Sequence, residues 1–293
     1  HREKDFPRYE SVWQDFRREY PGAAWSEIST KAWLASRSLD YLLAPSSGYR
    51  FAPGKVGIIG FSRYGKQSLI AAAFDERITS VVARSPGSPG SSPYRFTSRN
   101  TCAEAPRDFP SEWFLPSLRG YTGREHELPI DAHGWYALIA PRRCLIHTAH
   151  NDGSEPTFAV ERAYLEGRKV YSLLGHPENL RVLYRSGQHG PVTEEQRRRN
   201  MEWFDLSFGR GAAKQEDFPE ELIHYFDWEA WKRGADGEEL RRRFAPAEPA
   251  DDADRRARIR WLLGEQPARL AGQERRDFIT REESEMMTHD RWR

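Results

Sequence analysis

The chain has 293 residues, with 45 Lys+Arg against 44 Asp+Glu and a formal net charge of +1. That balance gives no general basis for binding nucleic acid or an anionic membrane surface. No stretch approaches the ~20 apolar residues of a membrane helix.

The length allows one large domain, or one domain with an appendage. Hydrophobic residues make up 38% and charged residues 30%, so part of the chain is expected outside a packed core. The two cysteines, Cys102 and Cys144, make no disulfide framework. Cys144 lies in an apolar run and reads as a small buried hydrophobe. The sequence opens on His1 with no signal-peptide pattern, which reads as a processed chain or a fragment and leaves the compartment open.

In chain order, residues 1–22 mix charges with Phe6, Tyr9, Trp13 and Phe16 and suggest no strand. From Trp25 to Leu43, apolar residues at Ile28, Ala32, Ala35, Leu39 and Leu42 keep helical spacing. Pro45 to Pro53 is a loop. Lys55 to Gly60 is apolar, β-branched and bounded by glycine, the pattern of a short buried strand. Gln67 to Phe74 then reads as a helix.

Ile78 to Ala83 is a second strand, followed by the Pro/Gly/Ser run Ser85 to Pro93. Residues 94–129 form a mixed insertion in which Trp113 and Tyr121 are candidates for an aromatic-lined sugar cleft or for ordinary packing. Asp131 to Ile139 predicts a helix, Arg143 to Thr148 a third strand and Phe158 to Glu166 another helix. Leu180 to Tyr184 is a fourth strand and Glu194 to Phe208 a last amphipathic helix. Strands alternating with helices at this spacing predict an α/β fold with a mostly parallel sheet. Residues 1–211 are expected to form that domain. Residues 212–293 are expected to form a charged, helical or partly disordered extension, with helical stretches in 218–231 and 257–263 and a Pro/Ala/Asp linker at 245–254.

The chemistry centres on Gly60-Phe61-Ser62-Arg63-Tyr64-Gly65-Lys66. A serine between a buried strand and a helix, flanked by glycines, is the sequence form of a nucleophile elbow. There the backbone turns sharply and the hydroxyl stands clear of the sheet. The helix N-terminus favours developing negative charge. Catalytic groups of parallel sheets gather at the carboxyl ends of the strands. Ser62, Asp152 and His189 each come just after a predicted strand, in the order nucleophile, acid, histidine.

Ser62 is the candidate nucleophile and His189 the candidate base, which then acts as acid toward the leaving alcohol. The acid that orients the histidine is Asp152 or, three residues on, Glu155. The N–H of Arg63, the residue after the nucleophile, is the candidate oxyanion donor. His147 and His150 have no third ligand at a recognisable spacing, so neither a metal nor another cofactor is expected.

Gly-x-Ser-Arg-x-Gly-Lys is narrower than the generic elbow and resembles the signature of the glucuronoyl esterases and related bacterial acetyl-xylan esterase-like α/β-hydrolases. The resemblance runs from about Tyr20 to Gly211 and includes Ala137-Leu138-Ile139-Ala140-Pro141-Arg142 and the His189 loop. It implies an α/β-hydrolase fold, a serine carboxylic-ester hydrolase acting on carbohydrate or small esters through an acyl-enzyme, and an exported or periplasmic setting. It further implies that the Arg63 guanidinium adds charge to the oxyanion hole and that Lys66 contacts a sugar hydroxyl; His133 lies in a stretch similar to the family's but reads as structural.

Three departures stand out. Many family members carry the acid in a Gly-rich segment after the second strand, where this chain has Ser88 and Ser91. The family's tryptophan two residues beyond the acid is replaced by Ser154. About four strands normally precede the nucleophile strand, and residues 1–50 suggest none. The expectation is therefore the C-terminal half of such a hydrolase, about four strands, completed by a missing N-terminal segment or another domain. The competing expectation is a catalytically silent binding module.

Overall fold

A computed structural model describes residues 9–52, 54–94, 113–190 and 192–224. Of the partly helical stretch expected at 218–231, residues 218–224 are described and are not helical; its remainder, Cys102, the helix expected at 257–263 and the linker at 245–254 lie outside the described residues. The chain divides into two units, His1–Glu125 with Ile130–Ile223, and His126–Pro129 with His224–Arg293. The sheet and the helices around it lie in the first unit.

Four strands, β1 (Gly57–Phe61), β2 (Ser80–Arg84), β3 (Arg143–Ala149) and β4 (Leu180–Arg185), form one sheet in the order β1-β2-β3-β4. All neighbours are parallel, with Ile59 opposite Val82, Val82 opposite Leu145 and Leu145 opposite Arg181. The helices are α1 (Tyr9–Glu19), α2 (Glu27–Leu43), α3 (Arg63–Phe74), α4 (His133–Ile139), α5 (Thr157–Leu173) and α6 (Glu194–Phe208). This is the expected α/β architecture.

The period of two along each strand divides the core into two layers. Val81, Ala83, Cys144, Ile146, Leu180 and Val182 face one side, where they meet Leu69 and Ala72 of α3, Tyr136 and Ile139 of α4, and Val160 and Tyr164 of α5. Val82 and Leu145 face the other, against Trp203 and Phe204 of α6 and Phe218. Because both faces are covered, β2 and β3 are apolar without alternation. Cys144 is fully buried, and burial pushes its thiol pKa up, as befits an inert core residue.

Two elements differ from the sequence pattern. Residues 9–19 form α1, whose Phe16 packs on Trp25 (5.4 Å) and Trp33 (5.4 Å); tertiary aromatic contacts outweigh a weak local preference. Helix α5 continues past Glu166 to Leu173. A helical glycine, Gly167, ordinarily weakens a helix. Here a Cβ would lie 2.7 Å from Tyr136 Cβ, so glycine permits the close approach of α4 and α5.

At the outer edge of the sheet, β1 has a neighbour on one side among the described residues. Ile59 is 45% exposed. Beside this edge is a groove of about 500 Å³ lined by Leu34, Ala35, Leu39, Val56 and Ile58. No helix of the described residues is long and apolar enough to cross a membrane.

Candidate active site

The turn from β1 to α3 places Ser62 at φ 58° and ψ −128°, a positive-φ conformation that costs a non-glycine residue of order 1–3 kcal/mol. The surrounding bonds hold it there. The Ser62 N–H donates to the Arg84 carbonyl at 2.9 Å, and the Ser62 carbonyl accepts from Gly65 (2.8 Å) and Lys66 (3.2 Å). Gly60 is required because a Cβ would overlap the Tyr64 carbonyl and come within 2.5 Å of Ser68 Oγ. Gly65 allows α3 to lie against Arg84 and Pro86, to which a Cβ would come within 3.0 Å. The second glycine of the motif, one residue later than in the generic elbow, thus serves packing beneath the helix.

The loops leaving β3 and β4 bring two more groups to the serine. His189 Nε2 is 3.0 Å from Ser62 Oγ, and His189 Nδ1 is 2.8 Å from Asp152 Oδ2. An ionised carboxylate can only accept, so Nδ1 carries the proton and Nε2 is left to accept from the Ser62 hydroxyl. The Asp152 side chain is fully buried while that of His189 is 35% exposed, an orienting group inside and a proton-transfer group outside. The Phe61 ring stacks on His189 at 4.8 Å.

Burial opposes the charge on Asp152. Hydrogen bonds from His189, from the Ser154 hydroxyl (2.7 Å) and N–H (2.9 Å), and from Ser85 outweigh it and hold the carboxyl at about 2. Ser154 therefore secures the Asp152 carboxylate. The Asp-Gly-Ser sequence could have signalled this, since aspartate bonds its own backbone two residues on. Ser85 carries no such local signal.

Glu155, the alternative acid, is not brought to His189. Its carboxyl accepts from the Gly87 N–H at 3.1 Å and from the Ser91 and Thr148 hydroxyls. Burial, and after it the charge of Asp152, raises its pKa to about 7 against the effect of those three donors. The Pro/Gly/Ser loop, which has no carboxylate of its own, is thus held by one from the loop between β3 and α5.

Arg63 opens α3, with its guanidinium 5.4 Å from the Tyr64 ring centroid. Lys66 is 2% exposed; its ammonium donates to the Pro86 carbonyl and sits 5.5 Å from the Trp113 ring centroid. His147 is buried, with Nδ1 2.6 Å from Asn200 Oδ1, and burial lowers its pKa to about 4. His150 stacks on Tyr184 at 5.3 Å. Among the described residues, no three His, Cys, Asp or Glu side chains converge on a possible metal position.

Comparison with known proteins places the chain beside esterases. The family model described as glucuronyl esterase, fungi, matches residues 14–175. The carbohydrate esterase MZ0003, from an unknown prokaryotic organism, is 32% identical over 151 residues, 52% of this chain and 34% of that protein. The 4-O-methyl-glucuronoyl methylesterase of Hypocrea jecorina is 36% identical over 118 residues, 38% of this chain and 25% of that protein. Among solved structures, a carbohydrate esterase family 15 glucuronoyl esterase from Caldicellulosiruptor kristjansonii superposes with a TM-score of 0.62 at 27% identity, covering 69% of this chain and 55% of that one. The chain therefore spans between a quarter and about half of the length of these relatives. With the family model matching more than half of its residues, this chain belongs to the glucuronoyl esterase family.

Proposed function

We propose that this chain carries the catalytic residues of a serine carboxylic-ester hydrolase acting on carbohydrate esters. The observation that carries the reading is the hydrogen-bonded series Ser62–His189–Asp152 at a strained strand-to-helix turn. Ser62 Oγ attacks the ester carbonyl carbon while its proton passes to His189 Nε2. The new C–O bond produces a tetrahedral oxyanion, toward which the Arg63 N–H and the α3 N-terminus direct positive potential. The intermediate collapses, the alkoxide leaves with the proton from His189, and the acyl group stays on Ser62. Water, deprotonated by His189, then releases the acid and restores the serine. Asp152 keeps the imidazole in the required tautomer and stabilises its charged form.

Lys66 is assigned to support of the 86–93 loop, since its buried ammonium already binds the Pro86 carbonyl. The relatives named 4-O-methyl-glucuronoyl methylesterases support a uronate ester as substrate. Ser154 in place of the family tryptophan favours a less selective site. Labelling with a fluorophosphonate tests the reading. An adduct on folded protein that disappears in Ser62→Ala and His189→Ala is expected, and no adduct on the wild type overturns it in favour of a silent binding module. Turnover of p-nitrophenyl acetate against benzyl glucuronate separates the two ester classes.

The partner of the exposed β1 edge belongs to the same proposal. An apolar strand edge beside an apolar groove is an arrangement that folded proteins cover. Ile59 and the Leu34–Ile58 groove are suited to a strand from a further segment of a longer hydrolase chain. A urea melt tests this: a shallow transition that steepens when the additional segment is supplied is expected. A cooperative transition with a normal m-value for residues 1–293 alone overturns it.

A further inference from the structure

Arg185 closes β4 and is 6% exposed, an expensive position for a cation unless its charge is answered. Its guanidinium makes two contacts toward the candidate site. One nitrogen donates to the Gln188 carbonyl at 3.0 Å, immediately before His189. A second donates to Ser85 Oγ at 3.2 Å, across 100 residues of sequence.

Ser85 is fully buried at the end of β2, at φ 39°, with its N–H on the His147 carbonyl at 3.1 Å. Its hydroxyl is one of the groups that lower the pKa of Asp152. Arg185 can only donate, so the Ser85 oxygen accepts from it.

Several described groups near Arg185 are cationic or neutral. Arg84 lies near it, its guanidinium 5.1 Å from the Phe61 ring centroid, and its pKa is lowered by burial and by Arg185. His147 packs from β3 and, with its lowered pKa, is neutral at neutral pH. Arg197 and Arg199 of α6 add like charge.

We propose that Arg185 is a positioning residue that ties the end of β2, at the Ser85 hydroxyl, to the His189 loop, at the Gln188 carbonyl. The proposal rests on the serine-esterase reading. It assigns a task to a buried charge that contacts neither Ser62 nor His189 directly.

The test compares wild type, Ser85→Ala, Arg185→Lys and Arg185→Gly for fluorophosphonate labelling and for kcat and KM on p-nitrophenyl acetate, with the thermal melt of each. Ser85→Ala removes one buried hydrogen bond and Arg185→Lys cannot serve both acceptors. Each is expected to lower kcat and the labelling rate by ~10–100-fold, with KM within about threefold of wild type. Arg185→Gly is expected to lose more and to recover at least about tenfold when millimolar guanidinium fills the vacated site. Folded variants that keep wild-type kcat, or losses that track the folded fraction and ignore guanidinium, overturn the proposal. A wild-type protein that neither labels nor turns over overturns the esterase reading itself, and this proposal with it.

Discussion

A methyl group at Gly60 would overlap the carbonyl of Tyr64, because the chain doubles back at Ser62 so tightly that the end of β1 touches the first turn of α3. The overlapping partner is backbone, which cannot move without unwinding the helix start. Gly60→Ala is expected to destabilise the protein by more than ~3 kcal/mol and to abolish labelling of Ser62. Urea denaturation alongside fluorophosphonate labelling measures both, and a folded, labelled Gly60→Ala protein would contradict this reading of the turn.

Asp152 and Glu155 are separated by three residues yet face different partners. Asp152→Asn retains the shape but removes the acceptor that fixes the His189 tautomer, so kcat is expected to fall by ~10⁴ with a modest change in KM. Glu155→Gln leaves the His189 contact intact and is expected to cost less than about tenfold in kcat. Steady-state kinetics on p-nitrophenyl acetate distinguish the two, and reversed magnitudes would make Glu155 the acid.

The raised pKa of Glu155 links its burial to pH. Its carboxyl ionises at about 7 in the folded chain against 4.5 for the free side chain. The unfolded chain therefore releases this proton first as pH rises. The contribution to stability is full below about 4.5 and is lost as pH rises to about 7, by roughly 3 kcal/mol. Urea midpoints measured from pH 4 to 8 are expected to show this decline in wild type and a flatter profile in Glu155→Gln.

Asp75 shows the opposite sign. Hydrogen bonds from Arg77 (2.9 and 2.6 Å) outweigh burial and lower its pKa from 3.8 to about 2. Its contribution is present above 3.8 and lost as pH falls through about 2. Arg77 also reaches Asp40 and the Ser36 carbonyl of α2, so the pair connects the α3–β2 turn to α2. Since the Arg77 side chain is 39% exposed, solvent reduces the effect, and Asp75→Asn is expected to cost ~1–2 kcal/mol at neutral pH by thermal melt.

Much of the architecture was legible because its signals are local. The apolar runs at 55–60, 78–83, 143–148 and 180–184 are short, β-branched and punctuated by glycine and proline, and each became a strand within a residue or two. Ser62 was marked by its flanking glycines, and His189 by its place after the fourth strand. Helix α1 and the second half of α5 were not legible, because each depends on side chains brought from elsewhere: Trp25 and Trp33 for Phe16, Tyr136 for Gly167.

The sequence by itself determined the order of strands and helices, the elbow and the set of polar residues at the strand ends, since these arise from spacing and from backbone preferences of single residues. Only the tertiary structure decided which carboxylate meets His189, because Asp152 and Glu155 leave the same loop and differ in the direction their side chains take. It also decided that Lys66 is buried against the Pro86 carbonyl and that Arg185 reaches Ser85 across 100 residues. These contacts form between chain segments that only the parallel sheet brings together, and no local propensity records them.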